Sequence, residues 1–365
     1  MFSPSMLVIV GAFSLALLAL AALLVHAFRE YTPIIRRIFE EKPLFQPLRV
    51  PAEPGGEDVR FRTTDGLELA GTYYRARTPT RAGVFVFCHE FLSDRFSFLP
   101  YVGELRELGY DLFTFDFRNH GESATDASYE KMQWVTDREL CDLQSALAYV
   151  RSRPDADPAG VGLFGISRGA NAALCVAAQE AGVWSVITDG AFPTRGTMNV
   201  YMHRWAKIYI SSNSIWMRTP WIFGSLLSYV GWATRLVVQK QRGCQLADVE
   251  KAAARLSPRP LLMIHGEKDS LIGPEIARGL FALAGDPKDL WIVPEAKHNR
   301  CRELEPEAYR ERIATFVTRF GPRPPQQSVP AVPVEQPQAY GRAEPAETRD
   351  AIAPMGSGVM APVTG

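Results

Sequence analysis

Ser167 stands in Val161-Gly162-Leu163-Phe164-Gly165-Ile166-Ser167-Arg168-Gly169-Ala170-Asn171-Ala172-Ala173: an apolar run, a Gly-x-Ser-x-Gly turn, then a segment opening in small residues. A serine in a sharp strand-to-helix turn projects its hydroxyl above the sheet edge, where it can act as a nucleophile. A Cβ at Gly165 or Gly169 would crowd such a turn. Ala170, Ala172 and Ala173 let the helix lie close on the sheet, and its N-terminus aims N–H groups at the place where an oxyanion would form. The five residues alone also fit a purely structural turn. A serine hydroxyl needs a base within hydrogen-bond reach, so the deciding question is whether an acid and a histidine follow at the ends of later strands.

The elements that would position such groups alternate along the chain. Val59–Thr63 and Leu67–Tyr74 alternate in polarity around Asp65-Gly66, a hairpin signal. Gly83–Cys88 is a wholly apolar run ending in His89-Glu90-Phe91. A helix is expected from there to Gly109, which suits a C′ position. Tyr110–Phe115 is the next buried strand and ends in Asp116-Phe117-Arg118-Asn119-His120-Gly121-Glu122-Ser123. Thr136-Asp137-Arg138-Glu139 is a capping box before a helix with Leu140, Leu143, Leu147 and Val150 on one face. After the Ser167 segment come strands at 184–188, at 260–264 leading into His265-Gly266-Glu267-Lys268-Asp269, and at 290–293 leading into Glu295-Ala296-Lys297-His298. A closing helix carries Tyr309, Ile313, Phe316, Val317 and Phe320 on one stripe. Strands alternating with amphipathic helices predict an α/β fold, a doubly wound and mostly parallel sheet.

The ends of the chain differ in kind from this middle. Met1–Phe28 carries no charged side chain, and Met6–Phe28, at about 1.5 Å per residue, is long enough to cross a hydrocarbon core of about 30 Å. A secretory signal with Val25-His26-Ala27 as cleavage site is the competing reading. It is disfavoured because no basic n-region precedes the run and the run exceeds an h-region. Arg29, Arg36, Arg37 and Lys42 follow the run, which by the positive-inside rule puts the main domain in the cytoplasm. The expected organisation is an anchor at 1–28, a basic and Pro/Gly linker at 29–56, a catalytic domain at 57–320 with an insertion at about 190–256, and a disordered tail at 321–365 that holds nine of the 27 prolines. The net charge of +0 does not imply a nucleic-acid partner. Five cysteines, widely spaced and without Cys-x-x-Cys, read neither as a disulfide framework nor as a zinc site.

Taken together, Asp65-Gly66, His89-Glu90-Phe91, Asp116-x-Arg118-Asn119-His120-Gly121-x-Ser123, Gly165-x-Ser167-x-Gly169, His265-Gly266-x-x-Asp269 and His298 resemble the α/β-hydrolase superfamily, in the branch with lysophospholipase-like esterases, thioesterases and serine peptidases. The resemblance covers roughly residues 57–320. It implies Ser167 as nucleophile, Asp269 as acid and His298 as base, with Asp269 holding the imidazole's tautomer. His89 and His120 precede the serine and read as loop braces, and His265 as packing at a strand end. His203 lies in the insertion, and Asp116 is a second candidate acid with a structural role preferred. The oxyanion donors implied are the backbone N–H groups of Phe91 and Arg168. Here the sequence departs from the usual His-Gly-x, since Glu90 replaces the glycine. Glu90 is expected to turn away, toward Arg95 or Arg168, and the Arg168 side chain is expected either on an anionic substrate or in solvent.

The function implied is a membrane-anchored serine hydrolase acting on an acyl ester or thioester. A peptidase or acyltransferase on the same residues is the alternative, and a non-catalytic binding module is disfavoured because it has no need of all three groups. No metal cluster or dinucleotide fingerprint occurs, so neither metal nor cofactor is expected. The insertion, usually a cap in this superfamily, has no Asp or Glu from Gly190 to Ala247, yet holds four of the seven tryptophans and the bases Arg195, Arg204, Lys207, Arg218, Arg235, Lys240 and Arg242. That is the composition of a surface resting at a lipid interface. It also fits a cap whose aromatics, with Trp205, Trp216 and Trp221 as candidates, pack over the substrate pocket. The uncharged stretch between Arg218 and Arg235 is too short and too polar for a second spanning helix.

Overall fold

The computed structural model describes residues 3–40, 47–209 and 220–323. Eight strands form one sheet: β1 Glu57–Arg62, β2 Glu68–Tyr74, β3 Gly83–Cys88, β4 Tyr110–Phe115, β5 Val161–Ile166, β6 Val183–Asp189, β7 Leu261–Gly266 and β8 Lys288–Val293. Their order is β1-β2-β4-β3-β5-β6-β7-β8, antiparallel at β1/β2 and β2/β4 and parallel from there on. β3, β4, β5 and β7 are buried at every residue, as continuous apolar runs covered on both faces must be. One face packs on α3 (Asp137–Ser152) and α4 (Arg168–Ala177), the other on α2 (Phe98–Val102) and the closing helix Pro306–Phe320.

The capping box forms as the sequence predicts. The Thr136 hydroxyl accepts from the Arg138 N–H, and Glu139 accepts from the Thr136 N–H at 2.9 Å. The expected single helix before Gly109 is instead broken into a 3₁₀ turn at Arg95–Ser97, α2 and a 3₁₀ turn at Gly103–Arg106. Pro100 has no N–H to give a helix interior, and Gly103 is a poor helix former, so neither supports a longer run.

Two expected boundaries move. Residues 29–40, read as linker, are helical: α1 runs unbroken over Pro4–Glu40. The apolar segment up to about residue 26 is largely exposed, whereas Ala27, Thr32 and Ile35 are buried against the insertion. Among the described residues the insertion contributes the long helices α5 Thr194–Tyr209 and α6 Pro220–Arg242, with a short helix at Val249–Ala254. Thr234 of α6 donates its hydroxyl to that of Thr32 at 3.5 Å, and Arg242 pairs with Glu40 at 3.7 Å. Amphipathic burial of Ala27 and Ile35, not local propensity, therefore carries the helix through the basic flank. At the other end, Gly321–Arg323 stay on the body, with Arg323 paired to Asp157 at 3.2 Å, and the remainder of the expected tail lies outside the described residues.

Below β4, Arg118 is fully buried. Its guanidinium meets Asp142 at 2.7 Å, Asp65 of the hairpin turn at 2.8 Å and Asp126 at 3.2 Å, tying the β1–β2 turn and the β4–α3 loop to α3. Burial lifts the Asp142 carboxyl to about 6 even against Arg118 beside it. Removing the cation would leave a buried carboxylate unpaired. Arg118→Met should therefore cost about 3–5 kcal/mol, measured by urea unfolding at pH 7.5. Adding Asp142→Leu should recover part of the loss, and a double variant no more stable than the single one would show that the pairing is not the source.

Candidate active site

Ser167 ends β5 and opens α4 with φ 52 and ψ −114, a backbone conformation that L-residues rarely adopt. The turn is held from both sides. A Cβ on Gly169 would come within 2.1 Å of the Cys88 carbonyl oxygen at the end of β3, and one on Gly165 within 2.5 Å of the Gly169 carbonyl. The Ser167 N–H donates to the Asp189 carbonyl at the end of β6, at 2.7 Å. Sheet and helix thus clamp the residue in a strained turn with its side chain free to leave the sheet edge.

Ser167 Oγ lies 2.9 Å from His298 Nε2, and His298 Nδ1 lies 2.6 Å from Asp269 Oδ2. Asp269 Oδ1 accepts the N–H groups of Leu271 and Ile272 at 2.9 and 2.8 Å, so both carboxylate oxygens are engaged. Burial pushes the Asp269 carboxyl up, but His298, His265 and the Ile272 N–H outweigh it and hold it below its ordinary value. With a carboxylate accepting, His298 carries its proton on Nδ1 and presents the Nε2 lone pair to the hydroxyl. His265 is buried, and burial lowers its pKa; its Nε2 donates to the Ile272 carbonyl at 2.8 Å and fastens the loop that holds Asp269. Asp116 accepts from the Arg95 N–H and guanidinium, both at 2.6 Å, and from the Glu122 N–H, which leaves it a turn-forming residue away from Ser167.

The loop after β3 departs from expectation. Glu90 reaches neither Arg95, which pairs with Asp116, nor Arg168, which pairs with Glu139 at 3.3 Å. Its carboxyl accepts instead from the Leu48 N–H and the Ser97 hydroxyl, both at 3.3 Å, and burial raises it to about 7. Arg168 is neither at solvent nor in the cleft. It is 1% exposed, with its guanidinium 5.2 and 5.3 Å from the Phe91 and Phe117 ring centroids and donating to the Met132 carbonyl. A buried carboxylate, Glu139 of the capping box, was available to it, and two aromatic faces complete the enclosure. His89 Nε2 accepts from the Phe117 N–H at 3.1 Å, and His120 Nδ1 lies 2.8 Å from the Arg118 carbonyl. Both brace loops.

Around Ser167 and His298 the lining consists of Phe91, Gln133, Trp134, Phe192, Thr197, Tyr201, Leu271 and Ile272, with a cavity of ≈ 20 Å³. A larger groove of ≈ 750 Å³ also borders His298 and Leu271 and runs past Leu48, Arg49, Glu90, Tyr101, Lys297 and Arg300. Of the tryptophans singled out, Trp205 and Trp221 fall on α5 and α6, with side chains outside the described part, and Trp216 lies outside the described residues. The indole beside Ser167 is Trp134, on the turn before α3, and no pattern in the sequence points to it. Asn171 was also unforeseen. It is buried on the first turn of α4 and its Oδ1 accepts the Phe192 N–H at 2.9 Å, joining the serine's helix to the start of the cap.

Comparison with known proteins agrees with this architecture. The uncharacterized protein YfhR of Escherichia coli O157:H7 is 27% identical over 267 residues, 72% of this chain and 80% of its own. The thiohydrolase aneE of Aspergillus aculeatus is 28% identical over 132 residues, 36% of this chain and 40% of its own. The Pyrococcus furiosus esterase Pf2001 shares the fold at a TM-score of 0.56 and 19% identity, covering 77% of this chain and 98% of its own. The model of the alpha/beta hydrolase family matches residues 83–312, a span that begins with β3, contains Ser167, Asp269 and His298, and ends in the closing helix. By that match the chain belongs to the alpha/beta hydrolase family.

Proposed function

We propose that the protein is a membrane-anchored serine hydrolase that cleaves an acyl ester or thioester. The observation that carries this is the unbroken line Ser167 Oγ, His298 Nε2, His298 Nδ1, Asp269 Oδ2, at 2.9 and 2.6 Å. As Oγ attacks the acyl carbon, Nε2 takes its proton, and Asp269 stabilises the imidazolium that results. The Phe91 and Arg168 N–H groups would hold the oxyanion, worth about 3–4 kcal/mol for a single donor in comparable sites. Collapse breaks the bond to the alkoxide or thiolate, which leaves with the proton from His298. Water, deprotonated by the same imidazole, then attacks the acyl-enzyme and releases the acid. The apolar and aromatic lining by Phe91, Trp134, Phe192, Leu271 and Ile272 suits an acyl group better than a charged one. That one relative is named a thiohydrolase and one structural neighbour an esterase supports the same bond class.

The anchor in this reading is α1, whose span Ser5–Arg37 is long and apolar enough to cross a membrane. The bases Arg29, Arg36 and Arg37 after the apolar run favour, by the positive-inside rule, a cytoplasmic hydrolase.

A fluorophosphonate probe should label wild type, and Ser167→Ala or His298→Ala should each lower kcat/KM for a p-nitrophenyl ester by about 10⁴–10⁶-fold. Equal labelling of wild type and Ser167→Ala would refute the nucleophile. Phe91 is 1% exposed under Arg168, so Phe91→Leu, which keeps both bulk and N–H, is the informative partner for Phe91→Pro. The proline should lose about 3 kcal/mol of transition-state stabilisation relative to leucine. Comparable kcat in two folded variants would remove Phe91 from the oxyanion site.

Glu90 yields a pH effect on stability. Its carboxyl rises from 4.5 to about 7, so between those values the folded state holds a proton that the unfolded state has lost. Its favourable contribution is therefore complete below pH 4.5 and lost as pH rises through 7. Glu90→Gln should gain roughly 3 kcal/mol over wild type at pH 8 and little at pH 4.5. Melting curves that differ equally at the two pH values would contradict the assignment.

A further inference from the structure

α1 and α6 are joined by two polar contacts: Thr32 with Thr234, and Glu40 with Arg242. The contacts are spaced equally on both helices, so the helices run parallel and in one register. Continuing that register toward the N-terminus sets Trp232 level with Glu30, Tyr229 with Ala27, Gly224 with Ala22 and Pro220 with Leu18. The half-buried Leu23 and Leu24 of α1 and the buried Leu227 and Val230 of α6 are where such a pairing puts contact. The first ten residues of α6 thus lie beside the last turns of the apolar run, not below it.

The side chains change character at the matching level on both helices. On α1 the apolar run ends at Phe28, followed by Arg29 and Glu30. On α6 the Tyr229 and Trp232 rings sit 6.3 Å apart at that height, and Trp232 is 59% exposed. Above them come Pro220-Trp221-Ile222-Phe223-Gly224-Ser225-Leu226-Leu227-Ser228, without a charge, and below them Arg235, Lys240 and Arg242. An aromatic pair between an uncharged stretch and a basic one is the pattern of a helix crossing a membrane–water boundary. A cavity of ≈ 170 Å³, lined by Ile35, Met198, Met202, Gly231 and Trp232, opens among α1, α5 and α6 near this height.

We propose that α6 enters the lipid bilayer beside α1, with Pro220–Tyr229 immersed among the acyl chains, Tyr229 and Trp232 at the interface, and the basic C-terminal half among the headgroups. The partner is the bilayer itself. The helix does not cross it: Gly224 reaches about 9 Å past the level of Phe28, well short of the opposite face. This rests on α1 being an anchor, and the test separates the two claims.

Three glycines within helices have open space where a Cβ would go: Gly11 in the apolar run, Gly224 in α6 and Gly279 on the hydrolase surface. Each is replaced by cysteine in the full chain carrying Cys141→Ser, since the other four native thiols are buried. The variants are nitroxide-labelled and reconstituted in phosphatidylcholine vesicles, and collision with oxygen is compared with collision with a water-soluble nickel chelate. Gly224→Cys should lose its nickel collisions and gain oxygen collisions as Gly11→Cys does, while Gly279→Cys keeps its nickel collisions. Gly11 shielded with Gly224 as open to nickel as Gly279 overturns the proposal and leaves the anchor standing. Gly11 open to nickel overturns the anchor, and the proposal with it.

Discussion

The constraint on which the candidate site depends is the contact between Gly169 and the carbonyl end of β3. Helix α4 can approach Cys88 and His89 only because residue 169 has no side chain. That approach brings the serine's turn against the loop that continues to Phe91, and it presses Ser167 into a left-handed conformation that its own preferences disfavour. The same closeness aligns β5 beside β3, where Cys88 pairs in register with Gly165. Turn and strand pairing are therefore one geometric fact. A bulkier residue at 169 would disturb both together.

Beneath the turn lies a polar layer with few apolar substitutes. Arg168 and Glu139 connect the first turn of α4 to the first turn of α3, and Tyr129 donates to the same carboxylate at 2.8 Å. Buried ion pairs of this kind add little net stability, since desolvation offsets attraction, but they admit few alternative arrangements. Arg168 between the Phe91 and Phe117 rings also ties the first turn of α4 to the loops that follow β3 and β4. On the far side, Asp189, lifted by burial to about 7, accepts from the Tyr309 hydroxyl at 3.2 Å and joins the end of β6 to the closing helix.

The sheet was legible because buried parallel strands read as short apolar runs, and the Gly-x-Ser-x-Gly turn because its glycines answer a steric need that no other residue meets. Asp269 and His298 could be picked out by their places after β7 and β8. What escaped were features decided by partners distant in sequence. Arg168 looks like an exposed helix-start arginine until Glu139, 29 residues back, is folded beneath it. Glu90 looks like a misplaced charge until Leu48 and Ser97 enclose it. Residues 29–40 carry the bases and proline of a linker, and only the apolar surface of α6 makes a helix there worthwhile. Trp134 and Asn171 belong to no motif, and their roles exist only once the cap sits over the turn.

The space left at the serine has a kinetic meaning. A cavity of ≈ 20 Å³ has room for about one water, less than even a short acyl chain occupies. On the proposed hydrolase reading, an acyl group either enters from the ≈ 750 Å³ groove that also borders His298 or displaces Phe192 and Tyr201. On the second route, the frequency of that displacement would set a ceiling on kcat, however well Ser167 and His298 are aligned. Because Asn171 ties the serine's helix to Phe192, a displacement of Phe192 would be transmitted to the first turn of α4, beside Ser167.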